Sequence, residues 1–407
     1  MKYICFFTII LILFSSCNKS DELFLFDINN CEKEYIQIDS LTYKINDGYE
    51  IIEHIITFDY NDIYVNLPDI NELLSINVSF QTFSITNEHI YYVLCSFFPM
   101  ALSPYKFEIY LYNLVDKTNI KLYETKLFEV DDIGDLFYND VDEFGNIVDL
   151  ASYGNYIFWV EERFSFDNND DNYYVLLCMN INDKKTHTIK TNKLLPISIG
   201  SSNGYLSFYD VTINENIKTY QLFLYDIEKK DLIQINDNNI DIATPYVRPY
   251  LTNTYLYFLT KIDNEVYLNK YDLKSNQTYS KTKLVGLNTI ITNFIVYDEI
   301  FIYKNTINYM DPLYIVNLNN NTSKIILNNS DSIINDFKYI DNILFLTDMQ
   351  KKSVYSINLV DYQFSVILEN INNIWLNYES NILSICHIVN NNNSSTLYVY
   401  ILYRQGQ

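Results

Sequence analysis

The chain has 407 residues, enough for two or three ordinary domains or for one large repeat domain. Its 48% hydrophobic content excludes wholesale disorder. With 51 acidic and 28 basic residues the formal net charge is −23, which repels phosphate backbones and argues against any nucleic-acid partner.

The residue mix points to strands. There are 39 Tyr and 25 Phe, residues that suit a pleated, half-buried surface. Ala101, Ala151 and Ala243 are the only alanines, so the best helix former is nearly absent. An AT-rich genome would produce part of this bias whatever the fold. It would not order the residues along the chain, so the weight falls on periodicity.

The amino terminus reads as an address. Lys2 precedes an apolar run from Tyr3 to Phe14, followed by Ser15, Ser16 and Cys17. Twelve helical residues span about 18 Å, short of the roughly 30 Å of a bilayer core. A charged start, a short apolar centre and small residues before a break make a secretory signal. The ending Leu13-Phe14-Ser15-Ser16-Cys17 resembles the lipobox of bacterial lipoproteins, with Phe14 in place of the usual Leu. That resemblance implies removal of residues 1–16, acylation of Cys17 and a tether over 17–22. It places a single domain, 23–407, at the cell envelope. Asn18 is not the aspartate that retains some lipoproteins at an inner membrane, so an outer membrane or the cell surface is expected. Cys31, Cys95, Cys178 and Cys386 stay in the mature chain without CxxC spacing. Cys95, Cys178 and Cys386 are in or beside apolar strand runs, so buried free thiols are the first reading and a disulfide, whose pairing the sequence does not give, is the alternative.

Two strand motifs then recur. The first centres on Ile90, Ile157, Leu206, Leu256, Ile300, Leu344 and Leu383. The second centres on Tyr112, Met179, Tyr225, Tyr271, Val316 and Ile357, and keeps step with the first. The period of about 45 residues suits four short strands and their turns, the size of a propeller blade. Alternation as in Val354-Tyr-Ser-Ile-Asn-Leu excludes helical solenoids of similar period. An all-β propeller of about seven four-stranded blades is the reading. Six follow if one copy is decorative, eight if Ile63 begins another; a β-solenoid or two sandwiches remain as other architectures. The last copy lacks a second motif. Leu25-Phe-Asp-Ile28 through Ile38 resembles Leu224-Tyr-Asp-Ile227 through Ile235. An N-terminal strand from 25–38 is therefore expected to complete the last blade and close the ring, which removes its open edges.

Asp341-Asn-Ile-Leu-Phe-Leu-Thr-Asp348 resembles a YWTD-type blade, with Phe345-Leu-Thr-Asp348 in the YWTD place; Phe258-Leu-Thr-Lys261 is a weaker copy without the Asp. The mature chain also resembles TolB-like and DUF5050-like bacterial propellers. The resemblance implies a fold and a binding habit and carries over no catalytic residue.

Signs of chemistry are sparse. His54, His89, His187 and His387 are scattered, and no GxSxG, HExxH or phosphate-binding glycine loop occurs. No cofactor is expected. An acidic insertion spans 129–149. Within it Asp140-Val-Asp142-Glu143 half resembles a calcium loop, but Phe144 stands where a third oxygen ligand belongs, so a solvated insertion is the first reading. The function expected is a non-catalytic, lipid-anchored binding or scaffold protein, monomeric, for an envelope protein, peptide or glycan. The alternative is an envelope glycan hydrolase or lyase with paired carboxylates at the propeller mouth.

Overall fold

The computed structural model describes residues 22–27, 31–37, 43–45, 49–59, 77–97, 104–126, 128–130, 136–138, 144–164, 173–194, 197–214, 217–235, 241–242, 247–285, 291–305, 312–327, 333–340, 342–361, 363–371, 374–379, 382–390 and 394–404. Cys17 and the calcium candidates Asp140, Asp142 and Glu143 lie outside them.

Seven antiparallel sheets form the blades of a β-propeller. Their innermost strands are, in order, Asn77–Ile85, Phe144–Tyr153, Ile197–Ser202, Tyr250–Leu251, Ile291–Tyr297, Ile334–Ile340 and Ile374–Glu379. Each touches the inner strand of the next blade, and the seventh touches the first, so the ring closes around a central axis. Between blades one and two, Phe128–Val130 and Leu136–Tyr138 pair as a small hairpin within the acidic insertion.

The two sequence motifs are the middle strands of each blade. Ile90 pairs with Tyr112, Ile157 with Met179, Leu206 with Tyr225, Leu256 with Tyr271 and Leu344 with Ile357. In blade five the partner of Val316 is Phe301, one residue past the expected centre Ile300. Alternate residues on these strands pack against the blade before and the blade after. Tyr92 and Leu94 thus join the core shared with blade seven, while Tyr91 and Val93 join the core shared with blade two. A strand buried on both faces must be apolar throughout, which accounts for runs such as Ile90-Tyr-Tyr-Val-Leu.

The end of the second motif is a repeated turn. The side-chain oxygens of Asn113, Asn180, Asp226, Asp272, Asn317 and Asn358 each accept backbone N–H bonds from two or three residues ahead. Four residues after the first five of these stand Lys117, Lys184, Lys230, Asn276 and Asn321, with φ between 53° and 55°. The apolar residue after each turn-starter, from Leu114 to Leu359, donates its backbone N–H to the neighbouring inner hairpin of the same blade. Asx side chains thus supply, without glycine, the local bonding a tight turn needs. Replacing Asn317 by Ala should cost about 1 kcal/mol, the net worth of such a bond, measured by denaturant unfolding; no change would remove the turn from the fold's support.

Asp348, the acid of the YWTD-like segment, has the same role at the opposite end of its blade. It accepts from the backbone N–H of Ile333, Gln350 and Lys351. Where the Asp is lost, at Lys261, the chain turns through Asp263 and Asn264, both at positive φ.

The ring is closed by an N-terminal strand, but not by 25–38. Tyr49–Asp59 is the outermost strand of blade seven, in register with Ser394–Arg404 over its whole length. The expected segment instead pairs in parallel on the outside of other blades. Glu22–Asp27 lies on Gln277–Val285 of blade four, Glu32–Gln37 on Thr322–Leu327 of blade five, and Tyr43–Ile45 on Phe364–Leu368 of blade six. The amino-terminal region is a strap around three blades before it becomes the closing strand. Periodicity alone does not separate these roles, because both add a strand to a blade's outer edge.

Candidate functional site

One end of the ring consists of the tight Asx turns. The inner strands begin at the other end, and about midway between the two ends a girdle of side chains surrounds the axis. Thr82, Asp149, Asn293 and Trp375 face Val93, Val160, Lys304 and Cys386 across their hairpins. Arg248 stands three residues before Leu251, and Asp336 three before Tyr339, which puts both at the same height. The next residue in each blade (Phe83, Leu150, Pro249, Phe294, Phe337 and Leu376 among them) is apolar. The inner strands bulge at or just before this level in blades one, two, three, five and six, which re-aims side chains near the axis.

Two fixed pairs divide the girdle. Arg248 of blade four spans blade three and places Nη2 3.1 Å from Asp149 Oδ1 of blade two. On the way its stem passes Gly200 of blade three, whose Cβ position is 4.0 Å from the Arg248 Cδ, an ordinary van der Waals distance. On the far side of the ring, Asn293 of blade five donates to Asp336 of blade six at 3.0 Å. Lys338 Nζ is 3.7 Å from the same carboxylate, and the Phe337 N–H donates to it at 2.8 Å. The Arg248 guanidinium is half-exposed, and Trp375 presents 41% of its surface.

Burial pushes the Asp149 carboxyl above the usual carboxylate range, against the pull of Arg248 and of the Leu150 and Ile199 N–H groups. An acid whose folded pKa is raised costs stability as pH climbs from the unfolded value to the folded one. Arg248→Met removes the opposing cation, so the folded pKa rises further. The variant should lose about 1–3 kcal/mol at pH 7 and nearly nothing below about pH 3, where the carboxyl is protonated in both states. Urea midpoints across pH give the test; a loss independent of pH would mean that Arg248 acts through packing alone.

Other polar groups serve the blade contacts. Glu161, 1% exposed, accepts from Tyr123 Oη at 2.9 Å, Arg163 Nε at 3.3 Å and Trp159 Nε1 at 3.4 Å. Lys190 of blade two meets Asp210 of blade three at 3.0 Å. An open depression of about 530 Å³ on the flank of blade two is lined by Tyr173, Thr191, Asn192 and Lys193. Asn192 is already committed to Asp210 and the Val211 carbonyl.

The four histidines do not converge. His54 meets the edge of Tyr112, His89 leans on Tyr91, His187 bonds Tyr225 at 3.0 Å, and His387 stacks on Tyr398 at 4.5 Å. Burial lowers the pKa of all four. Cys31, Cys95, Cys178 and Cys386 are free and buried. Burial pushes the Cys95 and Cys178 thiols up to about 12, the reverse of an activated nucleophile. Among the described residues, no three His, Cys, Asp or Glu gather as a metal site, and no helix is long and apolar enough to cross a membrane. The girdle therefore offers hydrogen bonds, two ion-paired carboxylates and a stacking surface, with each carboxylate held by its own partners.

No known protein family and no curated protein matches this sequence. Solved structures match by shape. The β-propeller domain of the Trilobed protease from Pyrococcus furiosus aligns at TM-score 0.50 and 11% identity, over 81% of this chain and 96% of that one. It is described as having an open velcro topology; here Tyr49–Asp59 and Ser394–Arg404 fasten the ring. A prolyl endopeptidase aligns at TM-score 0.50 and 9% identity over 82% of this chain, and acylaminoacyl peptidase from Pyrococcus horikoshii at 0.49 and 10% over 79%. This chain spans only 50% and 51% of those two enzymes. TolB from Acinetobacter baumannii aligns at 0.40 and 11%, over 82% of this chain and 80% of that one. The likeness to the Trilobed protease domain shows the fold, a β-propeller, and no activity; the seven blades are those of this chain's own sheets.

Proposed function

We propose that this chain is a lipid-anchored propeller of the cell envelope that binds a protein, peptide or glycan at its loop-side mouth without catalysing a reaction. The girdle carries the reading. At a level where the following residue is apolar, the inner strands present a threonine, an aspartate–arginine pair, an asparagine–aspartate pair and an exposed tryptophan. Fixed polar groups around an open aromatic suit reversible recognition of a polar polymer, since the aromatic supplies area and the polar groups orientation. Acylation of Cys17 would hold this surface at an outer membrane or the cell surface, because several acyl chains anchor where one does not.

The expected result has two parts. Radiolabelled palmitate should enter the native protein and not the Cys17→Ala variant. On arrays of envelope peptides and glycans, the soluble domain should bind a defined subset, and Trp375→Ala should lose it while unfolding at an unchanged midpoint. Binding that survives both Trp375→Ala and Arg248→Ala would move the site elsewhere.

A further inference from the structure

The strap fixes which way the mouth points. This inference rests on the reading of Cys17 as the acylated residue. Glu22, where the first strap strand begins, is opposite Ser280, just after the tight turn that ends at Asn276; Asp27, where the strand ends, is opposite Val285. The chain therefore joins the ring at the tight-turn end of blade four and runs towards the mouth. Four residues lie between Cys17 and Glu22, and the five Cα steps reach at most about 18 Å. Strands Tyr255–Ile262 and Gln277–Val285, of 8 and 9 residues, put the mouth about 25 Å further on. The tether cannot bridge that span.

The corner beside the tether has the chemistry of a membrane interface. Tyr279 is 56% exposed and packs against Tyr255, with ring centroids 5.8 Å apart. Lys270 Nζ lies 4.1 Å from the Tyr255 centroid and 5.3 Å from that of Tyr279. Tyrosine rings settle at headgroup level, and a lysine beside them meets lipid phosphate. We infer that Tyr255, Lys270 and Tyr279 form a corner that rests on lipid headgroups, so that the mouth opposite the tight turns faces away from the anchoring membrane. The ligand then comes from the opposite side.

The test uses the full acylated chain in vesicles of phosphatidylethanolamine and phosphatidylglycerol, with a doxyl quencher high on the acyl chains. Trp159 is fully buried and serves as a constant background, while Trp375 reports the girdle inside the ring. A second protein with Trp375→Phe and Tyr279→Trp reports the corner; Tyr279 is exposed, so the fold should tolerate the change. The corner reporter should lose at least about half of its emission, as expected for a ring at headgroup level, and Trp375 should lose almost none. Quenching of Trp375, or of neither reporter, in protein that floats with the vesicles overturns the orientation alone. If the native chain floats no better than Cys17→Ala, the anchor falls and the orientation with it.

Discussion

A chain lacking residues 1–45 should still fold to a closed ring, and one lacking residues 1–59 should not. The first deletion strips the strap, whose strands pair only with the outer edges of blades four to six. It also removes the contact of the Cys31 thiol with the Ser323 hydroxyl at 3.1 Å. The second deletion removes the outermost strand of blade seven and with it Ile56, 1% exposed in the core shared by blades seven and one. Ile56→Ala alone should cost about 2–5 kcal/mol, a large share of the roughly 5–15 kcal/mol that holds a domain together. Loss of the entire strand also exposes the long edge of Ser394–Arg404 to intermolecular pairing. Calorimetry should show one cooperative transition at a lowered midpoint for the shorter deletion, and aggregation for the longer. A stable monomer lacking residues 1–59 would mean that the first and last blades hold together without the fastener.

Arg163→Met should destabilise the protein by about 3–5 kcal/mol, because it leaves a carboxylate buried without its cation. Glu161 is on the second strand of blade two and faces blade one, where Tyr123 donates to it; Arg163 supplies the charge from the same strand. Adding Glu161→Gln to Arg163→Met should recover much of the loss, since a neutral amide still accepts from Tyr123 and Trp159. Urea unfolding of both single variants and the double gives the coupling between the sites. If Arg163→Met costs less than about 1 kcal/mol, the carboxylate is relieved by another route and the assignment is wrong.

Much of the ring was legible because a blade's middle strands are buried on both faces and their connecting turn is made by one side chain. Apolar runs and Asx residues recur in step for that reason. The phase slipped at Ile300 because Ile300-Phe-Ile-Tyr offers two equally apolar registers, and only pairing with Val316 selects Phe301. The closing strand was hidden for another reason. Its Ile51-Ile52 and Ile55-Ile56 doublets break the alternation that marks a strand, because Ile51 packs towards blade six and Ile56 towards blade one from opposite faces, while Ile52 and Ile55 are exposed.

The girdle also has a signature in the sequence. Thr82, Asp149, Arg248, Asn293, Asp336 and Trp375 each stand eight residues before a middle-strand centre, once Phe301 replaces Ile300, and an apolar residue follows each. A fixed offset of eight is what a short hairpin imposes on two paired strands. What no offset reveals is that Arg248 reaches past Gly200 to Asp149, since that contact skips a blade.

The strap has a mechanical consequence. A pull on the amino-terminal end, directed away from the tight-turn face, runs along the axis of Glu22–Asp27. It loads the ladder on Gln277–Val285 in shear, so its hydrogen bonds bear the force together instead of opening one by one. Two further ladders, on Thr322–Leu327 and Phe364–Leu368, stand in series before the force reaches Tyr49. The fastener of the ring is therefore the last junction to be strained, and the strap is a shock absorber between whatever holds the chain and the mouth that it carries.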